Sequence, residues 1–69
     1  MTIEKLYQEI FSQTIPKWSR KGQFVFNYID EHYGVAREVQ FLDHVDCFYD
    51  DSQIDEFIKL AVSRINSSQ

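Results

Sequence analysis

The chain has 69 residues, of which 43% are hydrophobic and 16% aromatic, and it carries a net charge of −4 at pH 7. This length holds one domain, which we assign to residues 1–69, and a domain so short buries only about 60% of the surface of its unfolded chain. Because Cys47 is the single cysteine, an intramolecular disulfide is excluded, and we expect the six Phe, four Tyr and one Trp to supply much of the core.

The excess of negative charge lies in the C-terminal part of the chain. Residues 43–69 hold six acidic and two basic side chains, whereas residues 1–42 are balanced. An acidic chain disfavours a nucleic-acid partner, because phosphate binding needs a positive face. No apolar stretch approaches the roughly 20 residues of a membrane span, and the N-terminus is polar where a secretory leader needs an apolar run. We therefore expect a cytoplasmic protein without membrane contact.

Helical spacing of apolar residues predicts two helices in the first half of the chain. The first covers residues 3–13 and begins after Thr2, a good N-cap residue. The second covers residues 20–33, with Ser19 as its candidate cap and Gly34 as its C-terminal stop. Their apolar positions are Ile3, Leu6, Tyr7, Ile10 and Phe11 in the first helix, and Phe24, Val25, Phe26, Tyr28, Ile29 and Tyr33 in the second.

The segment 35–49 fits two patterns. Apolar residues alternate with mostly polar ones, which is the period of a half-buried strand, and residues 42–44 could form the turn of a hairpin. A competing period fits a short helix instead, with Val35, Val39 and Leu42 on one face. We favour the hairpin, in which the alternating residues are Val39, Phe41, Val45, Cys47 and Tyr49.

A third helix is predicted from the apolar stripe that follows residue 53. Ser52 and Asp55 resemble a capping box at its start, with Asp in place of the usual Glu or Gln. The stripe consists of Ile54, Phe57, Ile58, Ala61, Val62 and Ile65, and residues 66–69 read as a frayed tail. The predicted fold is therefore α+β and mainly helical, with three helices and a short β-hairpin between the second and the third.

Neither a catalytic residue, nor a metal site, nor a cofactor is predicted. His32, His44, Asp46 and Cys47 lack the short paired spacing of a zinc site. The acidic run over residues 46–55 lacks the central Gly and closing Glu of a calcium loop. A catalytic pair of His and Cys is defined by geometry that sequence neighbours alone do not provide. We therefore expect a protein that is not an enzyme.

Two clusters are candidates for an interaction surface. Trp18, Arg20 and Lys21 form a basic stretch at the start of a helix, where an anion or a partner could bind. We favour a structural role instead, in which Trp18 caps the core and the charges are solvated, because a small domain needs its aromatic residues for burial. Phe48 and Tyr49 are the second cluster. On a strand they point to opposite faces, so one of them is either exposed or covered by the third helix; alternatively both are buried.

A longer pattern connects these clusters. Gly22-Gln23, Phe26-Asn27, Asp46-x-Phe48-Tyr49-Asp50-Asp51, Ile54 and Phe57 together resemble a pattern in short bacterial and phage-encoded proteins without assigned activity. That group often has Pro at the position of Cys47. The resemblance implies a compact domain of mobile-element origin, and roles beyond solvation for Gln23, Asn27 and Asp50.

Small size, many aromatic residues and uneven charge favour a non-enzymatic module that binds another protein or a second copy of itself. A homodimer would bury further apolar area, from which a marginal core gains most. The alternative is a small nucleic-acid-linked regulator that uses the basic N-terminus of the second helix. The sequence does not identify the partner.

Overall fold

A computed structural model describes residues 1–67 of the chain. It contains the helices α1 (Ile3–Phe11), α2 (Lys21–Tyr33), α3 (Ala36–Leu42) and α4 (Ile54–Ser67), with one 3-10 turn (Asp51–Gln53) before α4. These 67 residues include no β-strand. None of the helices in this part of the chain combines the length and the apolar character that crossing a membrane requires.

The first helix forms where the sequence predicts it. The Thr2 hydroxyl accepts a hydrogen bond from the Lys5 N–H at 3.1 Å, which confirms Thr2 as the N-cap. The helix ends at Phe11, two residues before the predicted boundary. Its buried side chains, Leu6 and Ile10, belong to the same core cluster as the apolar stripe of α4.

The second helix is confirmed, but its predicted cap is wrong. The N-cap residue is Arg20, which makes no side-chain cap hydrogen bond, and the Ser19 hydroxyl donates to the Arg20 carbonyl at 3.4 Å. Gly34 ends the helix in the left-handed region at φ 70°, as predicted. Its N–H donates to the carbonyls of Asp30 and Ile29.

The predicted hairpin between the second and third helices is wrong. Residues 36–42 form α3, and the N–H groups of Val39 and Asp43 donate to the carbonyls of Val35 and Val39, four residues earlier in each case. The competing prediction of a short helix was correct, and Val35 and Val39 are both buried as it implies, but Leu42, which it placed on the same face, is exposed. Residues 43–50 then return to α4 as an irregular loop. The fold is four helices and a 3-10 turn, with no sheet in residues 1–67.

The predicted capping box of the last helix is also wrong. The Asp50 carboxylate accepts hydrogen bonds from the N–H and the hydroxyl of Ser52, at 3.0 and 2.6 Å. Asp50 therefore caps the 3-10 turn, and Ser52 lies inside it. At the other end, Asn66 and Ser67 still belong to α4, which corrects the predicted tail. Residues 68 and 69 lie outside the described part of the chain.

The core is mainly aliphatic. Of the eleven aromatic residues expected to fill it, only Phe57 and Phe26 are buried. Five further rings pack partly against the core, and four are exposed. The expectation that the rings mostly hold the domain together is therefore only partly correct. The largest fully buried side chains are Phe57, Leu6, Ile10, Ile29, Ile58, Val25, Val39 and Cys47.

Candidate functional site

The N-terminus of α2 lies directly against the loop that follows α3. The buried Gly22 N–H donates to the Asp51 carboxylate at 3.0 Å, and the Cys47 thiol donates to the Gly22 carbonyl at 3.2 Å. A Cβ atom at Gly22 would lie 1.9 Å from the Cys47 carbonyl oxygen. Only glycine permits this approach, so Gly22 sets the position of the whole loop.

Arg20 joins the two clusters that the sequence singled out. Its guanidinium donates to the carbonyl oxygen of Phe48 and, at 3.3 Å, to that of Tyr49. Trp18 lies two residues earlier, so its Cα is within about 7 Å of the Arg20 Cα. Lys21 lies apart from this contact and lines a separate cleft with Tyr7, Phe11 and Asp55.

The two rings of the loop have different surroundings. Phe48 packs edge-on against Phe26, with ring centroids 5.5 Å apart and an interplanar angle of 82°. Tyr49 follows with 72% of its surface exposed. One ring therefore faces the core and the other faces solvent. Trp18 is 84% exposed, so the favoured prediction that it caps the core is wrong.

Helix α3 contributes two exposed apolar side chains that the sequence analysis missed. Phe41 is 68% exposed and Leu42 is 65% exposed. The hairpin prediction had placed Phe41 on the same face as Val39. In a helix, two residues turn the chain by about 200°, which places Phe41 opposite Val39. The rejected helical period thus implied an exposed Phe41, but it wrongly placed Leu42 on the buried face.

Phe41 and Tyr49 lie on opposite sides of a depression of about 280 Å³ between α3 and the loop. We call it the aromatic groove; its lining residues are Phe26, Arg37, Gln40, Phe41, Phe48 and Tyr49. Asp46 connects its two walls, since its carboxylate accepts from the Gln40 amide at 3.0 Å and from the Phe48 N–H at 2.8 Å. The groove is thus held in shape before any partner binds.

Arg37 is the one charged residue that lines the groove. Its side chain is 75% exposed, and its nearest carboxylate oxygen, on Asp30, is 3.8 Å away. Ion pairs this exposed contribute little, because water screens them and holding two side chains costs entropy. The guanidinium is therefore free to exchange Asp30 for another anion.

Within residues 1–67, no group of three or more His, Cys, Asp or Glu side chains could hold a metal ion. Burial raises the pKa of the Cys47 thiol to about 12, and the nearby charge of Asp46 adds to the effect. At neutral pH the thiolate, which is the reactive form, is therefore scarce.

A polar cluster that the sequence did not indicate joins α1 to α2. One Glu9 carboxylate oxygen accepts from the Tyr28 hydroxyl at 2.9 Å and from the Tyr33 hydroxyl at 2.5 Å. The bond from Tyr33 lowers the pKa of Glu9 against the opposing effect of burial. Burial, followed by the bond to Glu9, raises the pKa of Tyr33 to about 12. This cluster stabilises the helix pair and lies outside the aromatic groove.

A second polar cluster joins α3 to α4. The Arg64 guanidinium donates two hydrogen bonds to Asp43, both at 2.9 Å, and one to Glu38 at 3.4 Å. The bonds from Arg64 lower the pKa of Asp43. They fix the C-terminal end of α3, the helix that carries Phe41 and Leu42.

Comparison with known proteins gives no match: no family model, no curated protein and no solved structure is significantly similar to the chain. The resemblance to short bacterial and phage-encoded proteins stays a prediction. The two parts of that sequence pattern, around Gly22 and around Asp50, lie next to each other in the structure, because the Gly22 N–H donates to the Asp51 carboxylate. Asp50 itself caps the 3-10 turn.

Proposed function

We propose that this protein is a non-enzymatic interaction module that binds a protein partner through the aromatic groove and its exposed rim. The observation that carries the proposal is the grouping of Phe41 and Tyr49, each about two-thirds exposed or more, around one preformed depression. Large exposed rings at the centre of a contact supply most of the binding energy in known interfaces.

The size of the patch supports this proposal. An aromatic side chain covers roughly 150–250 Å² when buried, so Phe41 and Tyr49, which are 68% and 72% exposed, together expose on the order of 300 Å² of mostly apolar surface. Patches of this size on small proteins are often functional. The core of the domain is closed without these side chains, so folding does not explain their presence.

Selection from a phage-displayed library of random dodecapeptides tests the proposal. We expect peptides enriched on the wild-type protein to lose binding to the variant F41S/Y49S. The matched control is Y7S, which removes an exposed ring of α1 that does not line the groove. Enriched peptides should bind Y7S as well as wild type. No enrichment, or equal binding to all three proteins, would contradict the proposal.

Self-association is one form of the proposed activity. A second copy could cover the same apolar rim, and a marginal domain gains stability when it buries more surface. Sedimentation equilibrium over a hundredfold range of concentration distinguishes the forms. A mass that rises toward twice 8.3 kDa in wild type, and stays monomeric in F41S/Y49S, would identify the second copy as the partner. A constant monomeric mass would leave a different protein as the partner.

A nucleic-acid-linked role is the second candidate, and the exposure of Trp18 favours it. An exposed indole ring in a stretch of sequence that also holds Lys17 and Lys21 suits base stacking on a single strand. Arg20 contributes less, since two carbonyl oxygens engage it. Trp18 is the only tryptophan, so its fluorescence should be quenched by single-stranded oligonucleotide at low salt and unaffected in K17A/K21A. Unchanged wild-type fluorescence would reject this candidate.

The proposal also places the module in the cytoplasm. A single free thiol suits a reducing compartment, and Cys47 is buried where an oxidant has little access. Cell fractionation of the tagged full chain tests this location. We expect the protein in the cytosolic fraction, and recovery from a membrane or secreted fraction would contradict it.

A further inference from the structure

We infer that the aromatic groove accepts an acidic peptide segment of a protein partner, with one bulky apolar side chain inside the groove and a neighbouring carboxylate on Arg37. This inference rests on the proposed function and adds the chemistry of the partner. Three properties of the groove support it, namely its volume, its lining and its charge.

The volume of the groove suits a single large side chain. At about 280 Å³, the depression lies at the lower limit of the roughly 300–1,000 Å³ of typical sites for cofactors and drug-sized ligands. Protein interfaces, in contrast, often depend on one anchoring side chain that enters a pocket of the partner. The occupant is therefore expected to be one residue of a longer segment that continues over the rim.

The lining of the groove selects an apolar or aromatic anchor. Phe26 is 8% exposed, and Phe48 stands edge-on against it, so the inner surface consists of ring faces and edges. Phe41 and Tyr49 form the rim on opposite elements, α3 and the loop. Aromatic pairs in such offset or edge-to-face arrangements add about 0.5–1.5 kcal/mol beyond simple burial. A polar anchor would lose its hydration without gaining a partner.

The charge at the groove selects an acidic neighbour to that anchor. Arg37 is the only charged residue of the lining, and its exposed contact with Asp30 at 3.8 Å is weak enough to be exchanged. A carboxylate can accept two parallel hydrogen bonds from a guanidinium, which makes the pair strong and directional.

The other charged groups near the groove are already engaged. Asp46 is bonded to Gln40 and to the Phe48 N–H. Asp50, next to Tyr49, is bonded to Ser52, and Arg20 is bonded to the loop carbonyls. The lining of the groove therefore presents one positive charge, that of Arg37, whose present partner is the weakly held Asp30.

Titration of the ¹⁵N-labelled protein with three capped tetrapeptides tests the inference. The probes are acetyl-Glu-Glu-Phe-Glu-amide and its analogues with Gln or Lys in place of Glu. We expect the acidic peptide to shift the amide signals of Phe41 and Tyr49, and to bind about tenfold more tightly than the Gln analogue. Added salt should remove this preference.

Two substitutions supply the matched control. R37Q should reduce the preference for the acidic peptide to near equality, whereas K59Q removes an exposed cation of α4 that does not line the groove and should leave the preference intact. Both positions are exposed, so both variants are expected to fold.

Three outcomes would overturn the inference. The first is equal or tighter binding of the Gln or Lys peptide, which would leave the groove a binding site of different chemistry. The second is a single-stranded oligonucleotide that shifts the same signals and displaces the acidic peptide. The third is the absence of any shift; in that case the peptide selection, which presumes no charge in the partner, still decides separately whether the proposed function stands.

Discussion

Helix propensity and the contacts of Gly22 predict opposite changes in stability for the substitution G22A. Alanine is favoured over glycine inside a helix by about 1 kcal/mol, so propensity alone predicts a more stable protein. In the structure, however, the added Cβ would lie 1.9 Å from the Cys47 carbonyl oxygen and 2.6 Å from an Asp51 carboxylate oxygen. The sign of the change therefore tests the contact directly.

The expected magnitude follows from what has to move. Real Cβ contacts are longer than 3.0 Å, and the clashing atom at Cys47 belongs to the backbone, so the loop itself must shift. Overpacking costs about 1–3 kcal/mol, and loss of the bond between the Gly22 N–H and Asp51 costs about 1.5–3 kcal/mol. After the gain in propensity, we expect the free energy of unfolding to fall by about 1.5–5 kcal/mol.

Urea denaturation followed by circular dichroism measures this change. With a slope of about 1 kcal/mol per M, the midpoint of G22A should fall by about 1.5 M or more. The matched control is N27A, which changes an exposed position of the same helix and should be neutral or slightly stabilising. A variant G22A as stable as wild type would show that the loop does not lie against α2 in this way.

Three further predictions concern the rest of the domain. Y33F removes a hydrogen bond to the charged Glu9 and should lower the free energy of unfolding by about 1.5–3 kcal/mol in urea; no change would contradict the cluster. In a pH series of the same measurement, stability should fall as pH drops below the ordinary value of 4.5 for Glu9, whose folded pKa is lower. It should also fall as pH rises above 9.0, the ordinary value for Cys47, whose folded pKa is about 12; constant stability across either range would contradict the assigned pKa shift. Finally, F41S should change the free energy of unfolding by less than about 0.5 kcal/mol, whereas F57A should lower it by about 3–5 kcal/mol. A large loss in F41S would mean that this ring has a structural role.

The helices that could be predicted are those with a complete local signal. α1 has a side-chain cap at Thr2 and an apolar stripe, and α4 has a stripe that extends from Ile54 to Ile65. α2 ends at Gly34 because the backbone there adopts the left-handed conformation, which glycine takes without strain. In each case the information lies within a few residues of the element itself.

The sequence failed where two periods compete over a short segment. α3 has only seven residues, which is too few to separate a period of 2 from one of 3.6. The choice depends on distant contacts, such as the bonds between Arg64 of α4 and Asp43 at the end of α3. The choice of a strand period placed Phe41 on the same face as the buried Val39. The contribution of α3 to the groove was therefore not predicted.

The candidate site was predicted in part. Trp18, Arg20, Phe48 and Tyr49 were selected by their residue types, and Arg20 does connect to the two loop residues. Lys21 lies apart. Arg37 was not considered, because its role depends on a groove that forms only when α3 and the loop meet.

Intermolecular nuclear Overhauser effects between the protein and a peptide enriched in the display selection test the central claim most directly. We predict contacts from one apolar side chain of the peptide to the ring protons of Phe41, Phe48 and Tyr49, with an acidic residue of the peptide near Arg37. Contacts confined to another surface, such as the cleft lined by Tyr7 and Phe11, would contradict the account of this protein as a module that binds through its aromatic groove.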